Sequence, residues 1–211
     1  MPTDASAALA LLDWRRRTHQ LYRTVRTHGD PLVAHALWRE GRDQMLADHP
    51  ASPLLPEHRA GFEGLDVAAY DERYRVEATL DDAPAGAFEV ATGTDGTVGF
   101  ERAGRVRLPL PDGVVDLDVW RLTSYGGGLF VPLKDGSCGR TTYGGGRYVL
   151  DTVKGADLGS QEGRLVIDLN FAYNPSCAYD PAWACPLAPS GSTTPVVVPV
   201  GEQHSGPWAA G

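Results

Sequence analysis

Lysine is almost missing from this chain: Lys134 and Lys154 stand against 17 arginines. Codon bias accounts for that imbalance, and so does an arginine-rich anion site. Positive charge as a whole is also short. A net charge of -8 and a pI near 5.2 exclude nucleic acid or an anionic membrane as the main partner, because both need a basic surface. No run approaches the ~20 apolar residues that span a bilayer, and Met1 to Asp13 lacks a basic segment followed by an apolar core. Without an export signal, the three cysteines are expected as reduced thiols in a cytoplasm. No nicotinamide, nucleotide or haem motif is present, so the sequence names no cofactor.

What is there suits one compact chain. A hydrophobic share of 42% over 211 residues can build a core. The 25 glycines and 16 prolines favour short elements joined by tight turns over a helix bundle. The expected division is a helical segment at 1–50 packed on a β-rich domain at 51–202, with a flexible tail at 203–211.

Two helices are predicted. Leu11, Trp14, Thr18, Leu21 and Val25 recur at three- and four-residue steps over residues 5–27, and His28-Gly29 ends the pattern. Asp30-Pro31 opens the second, with Asp as N-cap and Pro where no N–H is needed. It runs to about Leu46 with Val33, Leu37, Gln44 and Met45 on one side, and His49-Pro50 closes it. Beyond Pro56 the period becomes two. Strands are predicted at 74–80, 87–91, 97–101, 105–108, 115–119, 129–133, 147–150, 165–169 and 196–200. Asp95-Gly96, Pro111-Asp112-Gly113, Gly126-Gly127-Gly128 and Glu162-Gly163 supply the turns. The fold class is therefore mainly β: an antiparallel barrel- or roll-like domain with two N-terminal α-helices.

Polar groups concentrate late in the chain. In 165–170, Leu165, Ile167 and Leu169 face one side of a strand, while Val166, Asp168 and Asn170 face the other. A buried carboxylate needs a partner, and Arg147 is the nearest counter-ion in sequence. Asp168 and Arg147 are thus the candidate catalytic pair, Asp168 as general acid or base and Arg147 as the tuner of its pKa. Tyr143, Asn170, Tyr173, Asn174 and Cys177 are the candidate ligand-binding residues. The same groups can instead lock strands and turns. Gly144-Gly145-Gly146 reads as a tight turn, since it lacks the Gly-Lys-Ser/Thr of a phosphate loop and precedes a strand. Cys177 and Cys185 do not have the spacing of a zinc knuckle. Buried structural thiols, a disulfide, and a nucleophile or metal ligands all fit them. Cys138, in a turn, is incidental. His49, Glu57 and His58 do not have the spacing of a helical zinc pair, and no metal site is assigned.

These residues also carry a resemblance. The run Leu129-Phe130-Val131-Pro132-Leu133-Lys134-Asp135, then Thr142-Tyr143-Gly144-Gly145-Gly146-Arg147-Tyr148, then Asp168-Leu169-Asn170-Phe171-Ala172-Tyr173-Asn174-Pro175-Ser176-Cys177-Ala178-Tyr179 and Cys185-Pro186-Leu187, resembles the bacterial family known as domain of unknown function 1684. The likeness extends over roughly residues 35 to 202. It departs at Ala188 to Thr193, where the family carries an Asn, and at Ser137-Cys138-Gly139. The resemblance implies no reaction. The expected function is a small-molecule-binding domain or an enzyme of unknown reaction, with a polar pocket in a β-barrel-like fold. The alternative is a non-catalytic structural or protein-interaction domain.

Overall fold

The computed structural model describes residues 5–92, 96–123 and 126–206. Helix α1 (Ala5–Thr27) and helix α2 (Pro31–Asp48) come first, followed by a single turn, α3 (Pro56–Arg59). Asp30 caps α2 as its residue type predicts: its carboxylate accepts from the Leu32 and Val33 amides. The buried face of α2 differs from the expected one. Ala34, His35, Trp38, Met45 and Leu46 are enclosed, whereas Val33 is 42% exposed. Helix α2 turns its aromatic side inward because Trp38 offers the largest apolar area to bury.

Among the described residues, eight antiparallel strands follow in two sheets. One sheet has the order β1-β8-β7, from β1 (Arg75–Ala78), β8 (Arg164–Asp168) and β7 (Ser160–Gln161). The other runs in sequence order through β2 (Ala87–Thr92), β3 (Gly96–Leu110), β4 (Gly113–Leu122), β5 (Leu129–Leu133) and β6 (Arg147–Asp151). The two sheets pack as a roll, and no barrel closes among the described residues. The segments 97–101 and 105–108 are one strand, β3, interrupted by a bulge between Arg102 and Gly104. The bulge advances the alternation, which makes one strand read as two. The two-residue β7 is too short to leave a period. Asp95, half of one expected turn, lies outside the described residues.

The segment 196–200 is not a strand, although Val198 and Val200 are buried as expected. Pro195 and Pro199 remove two ladder donors. Side chains take most of the remaining backbone bonds: Asp135 accepts from the Val198 amide at 2.9 Å, and Arg147 donates to the Val198 and Val200 carbonyls. The expected tail also begins too early, because residues 202–205 are anchored. The Gln203 amide donates to the Asp66 carbonyl, the His204 amide to that of Thr141, and Ser205 to the Asp66 carboxylate. Residues 207–211 lie outside the described set.

The five-stranded sheet is buried on both faces. Phe100, Trp120, Phe130 and Tyr148 form one core with Tyr22, Val25, Trp38 and Leu46 of the helices. Val106, Leu117, Val119, Val131, Leu133 and Val149 form a second with Ile167 and Leu169, closed by Val198 and Val200. Trp38 docks α2: its ring meets Phe171 edge-on at 5.3 Å, and its indole N–H donates to the Tyr22 hydroxyl at 3.1 Å. Trp38→Ala is expected to destabilise the protein by roughly 3–5 kcal/mol, the usual effect of emptying a fully buried aromatic position. A urea midpoint close to that of the unchanged protein would show that the helices are not coupled to the sheet.

Candidate functional site

The residues singled out in the sequence do not share one wall. They fall into four groups, each held by different elements.

Arg147, at the start of β6, is fully buried and does not meet Asp168. The turn before it needs glycine: Gly146 has φ +89°, and a Cβ there would sit 2.7 Å from the Leu133 carbonyl oxygen. The guanidinium lies 3.3 Å from Asp135 and donates to the carbonyls of Val198, Val200 and Glu202. Asp135 in turn accepts from the Ser137 amide and hydroxyl and from the Val198 amide. Burial pulls the Asp135 carboxyl up, but Arg147 and these donors outweigh it, so it titrates below its usual range. Burial lowers the pKa of Arg147. This cluster is a clamp on the 196–202 segment.

Asp168 ends β8 and caps the turn Leu169–Phe171. It accepts from the Asn170 amide at 3.1 Å, the Asn170 side chain at 2.7 Å and the Tyr70 hydroxyl at 3.2 Å, with Arg75 at 3.7 Å. The sequence places Asp168 and Asn170 on one strand face, whereas Asn170 lies in the turn that Asp168 caps, and the arginine beside Asp168 is Arg75 rather than Arg147. Arg75 faces Asp168 directly in the β1–β8 register, whereas Arg147 belongs to the other sheet. The Asn170 side chain binds both the amide and the carbonyl of Asp71, tying that loop to β8. Burial raises the Asp168 pKa against the pull of Asn170, Arg75 and Tyr70.

Tyr143 and Cys177 form the third group, with Cys185. The Tyr143 hydroxyl is 3.6 Å from the Cys177 sulfur, and the Cys177 amide donates to the Cys185 sulfur at 3.4 Å. All three cysteines are free thiols.

Tyr173 and Asn174 lead elsewhere, to a cavity of about 60 Å³ between α1, α2 and the loops that carry residues 154–156 and 173–179. Its walls include Trp14 and Tyr22 from α1, Arg42 from α2, and Tyr173, Asn174 and Tyr179. Behind it lies Glu202, fully buried, which the sequence reading passed over. Glu202 accepts from Arg42 at 2.7 Å, from the Asn174 amide and side chain at 3.1 Å each, and from the Tyr179 hydroxyl. Arg42 also lies over the Trp38 and Tyr173 rings, at 5.3 and 4.9 Å. Burial raises the pKa of Glu202 even with Arg42 beside it. For Arg42 burial works the other way, yet the charge of Glu202 prevails and its pKa rises too. The two directions agree with the geometry, because the carboxylate side chain is 1% exposed and the guanidinium 15%. Two buried polar atoms of this network lack a partner among the described residues: Arg42 Nε and Asn174 Oδ1.

Glu202, Arg42 and Asp135 were hidden in different ways. Glu202 ends the Val200-Gly201-Glu202 run in a stretch that reads as fraying tail. Arg42 stands four residues after Trp38, on the same helix face, so its inward direction is legible once Trp38 is taken as the anchor. Asp135 looks like an ordinary turn residue before Gly136.

Among the described residues no helix is long and apolar enough to cross a membrane, and no group of three His, Cys, Asp or Glu side chains could hold a metal ion. No curated protein matches the chain. The solution structure of an uncharacterized protein from Haloarcula marismortui is similar, with a TM-score of 0.58 and 32% identity, covering 78% of this chain and 89% of that one. A family model described as a protein of unknown function, DUF1684, matches residues 60–203, a span that takes in Asp135, Arg147, Asp168, Asn174 and Glu202. The chain belongs to that family.

Proposed function

We propose that the protein binds a small, uncharged polar molecule in the cavity bounded by α1, α2 and residues 173–179. The observation that carries this reading is the pair of unpartnered buried atoms on two residues lining that cavity, a donor at Arg42 Nε and an acceptor at Asn174 Oδ1. Buried polar groups are nearly always bonded, so two lining residues that each keep one unpartnered atom, one donor and one acceptor, suit a ligand that brings one acceptor and one donor and turns those atoms toward it. A primary carboxamide has that pairing. Charge is already balanced: Glu202 neutralises Arg42, and Asp151 lies 3.3 Å from Lys154, so an ionic ligand gains no counter-charge. The aromatic walls favour a flat group. The volume sets a limit, since a cavity of roughly 150 Å³ is needed for benzene. Only a head group enters a space of about 60 Å³.

Acetamide and benzamide are suitable probes. With a ceiling of about 1.5 kcal/mol per non-hydrogen atom, acetamide gains at most ~6 kcal/mol, so titration belongs in the millimolar range. Acetamide is expected to shift the NMR signals of Arg42 Nε–H and the Asn174 side-chain amide. Thr18→Trp, which fills the cavity from α1 without replacing any residue bonded to Glu202, is expected to abolish those shifts. Unmoved Arg42 and Asn174 signals in the unchanged protein would rule out the reading.

A second reading, a non-catalytic structural or interaction domain, is favoured by the clusters at Asp135–Arg147 and Asp168–Asn170, whose carboxylates are bonded within the protein. It expects no amide response and a large loss of stability from substitutions at those positions.

A further inference from the structure

Outside the cavity, the Cys177–Cys185 pair is the group of reactive side chains that neither reading uses. Its loop is pinned at both ends. Tyr179 is buried against Glu202, and the Tyr148 hydroxyl donates to the Pro186 carbonyl at 2.8 Å. Between these anchors Pro181, Ala182 and Ala184 are exposed, and Leu187 just beyond is 46% exposed. Cys177 and Cys185 are both partly exposed, so a solute can reach them while their backbone stays fixed.

The surroundings of the two sulfurs are unequal. Cys185 accepts the Cys177 amide N–H at 3.4 Å and lies within hydrogen-bonding range of the Cys177 thiol, with Lys154 adding positive charge nearby. All three favour negative charge on Cys185, and the Cys177 hydrogen bond, the largest of the causes, lowers its pKa. Cys177 donates that bond and is partly enclosed, so its own pKa rises. Cys138 sits apart, 3.6 Å from Asp135, and its pKa is raised by burial.

We propose that Cys177 and Cys185 form a reversible dithiol–disulfide couple, in which Cys185 attacks the oxidant and Cys177 resolves the intermediate. The oxidant is a low-molecular-weight disulfide. The Cys185 thiolate attacks one sulfur of that disulfide, the S–S bond breaks, and one thiolate leaves with the bonding pair. Cys177 gives up its proton to that leaving thiolate or to water. Its sulfur then attacks the Cys185 sulfur and expels the second thiolate, which takes up a proton. Two protein thiols lose two electrons in all, and one small disulfide becomes two thiols. The final bond needs the two sulfurs to close to about 2.05 Å, and the Cys177 amide, 3.4 Å from the Cys185 sulfur, already holds the two residues side by side.

The test is to incubate the folded protein with oxidised glutathione, quench in acid, alkylate with N-ethylmaleimide and map the cysteines by mass spectrometry. The expected product is a linked 177–185 peptide two hydrogens lighter, reversed by reduced glutathione, with Cys138 alkylated throughout. Cys177→Ser is expected to accumulate glutathione on Cys185. Cys185→Ser is expected to react at Cys177 more slowly, because burial still disfavours its thiolate and the Lys154 charge that assists Cys185 does not act on it. Cys177 and Cys185 both remaining alkylatable in the unchanged protein, a bond to Cys138, or equal glutathionylation rates in the two variants would each overturn the proposal. The mapping of the unchanged protein needs no variant, and circular dichroism checks that the variants fold.

Discussion

Asp135→Ala is expected to lower stability by roughly 3–5 kcal/mol, the range found when one partner of a buried ion pair is removed. The reason is the arginine left behind. Arg147 is fully buried and has no other carboxylate at salt-bridge distance among the described residues, so its charge would stay buried with carbonyl partners. Asp135→Ala also strips acceptors from the Ser137 and Val198 amides. Arg147→Met removes the charge together with its demand, and the double variant is expected to be less damaged than the sum of the singles. A double-mutant cycle in urea measures this as a coupling of about 1–3 kcal/mol. Additive single effects would mean that the two side chains act separately. Acid works in the same direction as the substitution. The folded pKa of Asp135 is depressed, so its contribution is present above the unfolded value and lost as pH falls through the folded one.

Glu202 is expected to give the opposite pH dependence. Its folded pKa lies above the ordinary 4.5. Below the unfolded value both states are protonated. Between the two values only the folded chain keeps its proton, and stability then falls as pH rises, by at most ~1.4 kcal/mol per pH unit. Glu202→Gln is expected to flatten that slope while keeping an oxygen for Arg42 to bond. Glu202→Ala is expected to lose about 3–5 kcal/mol at neutral pH, since Arg42 then keeps its charge without its carboxylate. Asp168, also raised by burial, adds a slope of the same sign. The Gln variant must therefore be compared with the unchanged protein and with Asp168→Asn. A Gln variant whose stability falls with rising pH as steeply as its parent's would show that Glu202 does not titrate on its own.

The contrast between Asp135 and Glu202 marks how far the sequence could be read. Strands whose residues alternate, such as β1 and β4, and the capped start of α2 were legible, because period and cap chemistry are local. The stretch 196–200 has the apolar residues of a strand, yet its backbone partners are the side chains of Asp135 and Arg147, more than 45 residues away in the chain. No local rule reports that. The same holds for the site. Asp168 and Asn170 do meet, but through the cap Asp168 gives the turn Leu169–Phe171 and not through strand alternation, because β8 ends at Asp168. Choosing between Arg75 and Arg147 required the strand register, which places Arg75 opposite Asp168. Tyr173 and Asn174 were found as polar residues of a rich motif, but their partners Arg42 and Glu202 stand 160 residues apart, and only the folded chain brings them together.

That separation has a consequence for how the molecule is made. Residues 198–203 close the second core, accept the Arg147 clamp, bond to Asp66 and supply the carboxylate for Arg42. A nascent chain that has reached residue 190 holds every strand of both sheets but none of these contacts. Arg42 and Arg147 at that stage are cations without their acceptors, and they resist burial. Synthesis therefore leaves the sheets assembled but unlocked until the last valines and Glu202 emerge, and the final docking is governed by long-range closure, the slow kind of contact. A chain ending near residue 190 and freed from the ribosome should be protease-sensitive, and one that extends through Glu202 and Gln203 should be resistant.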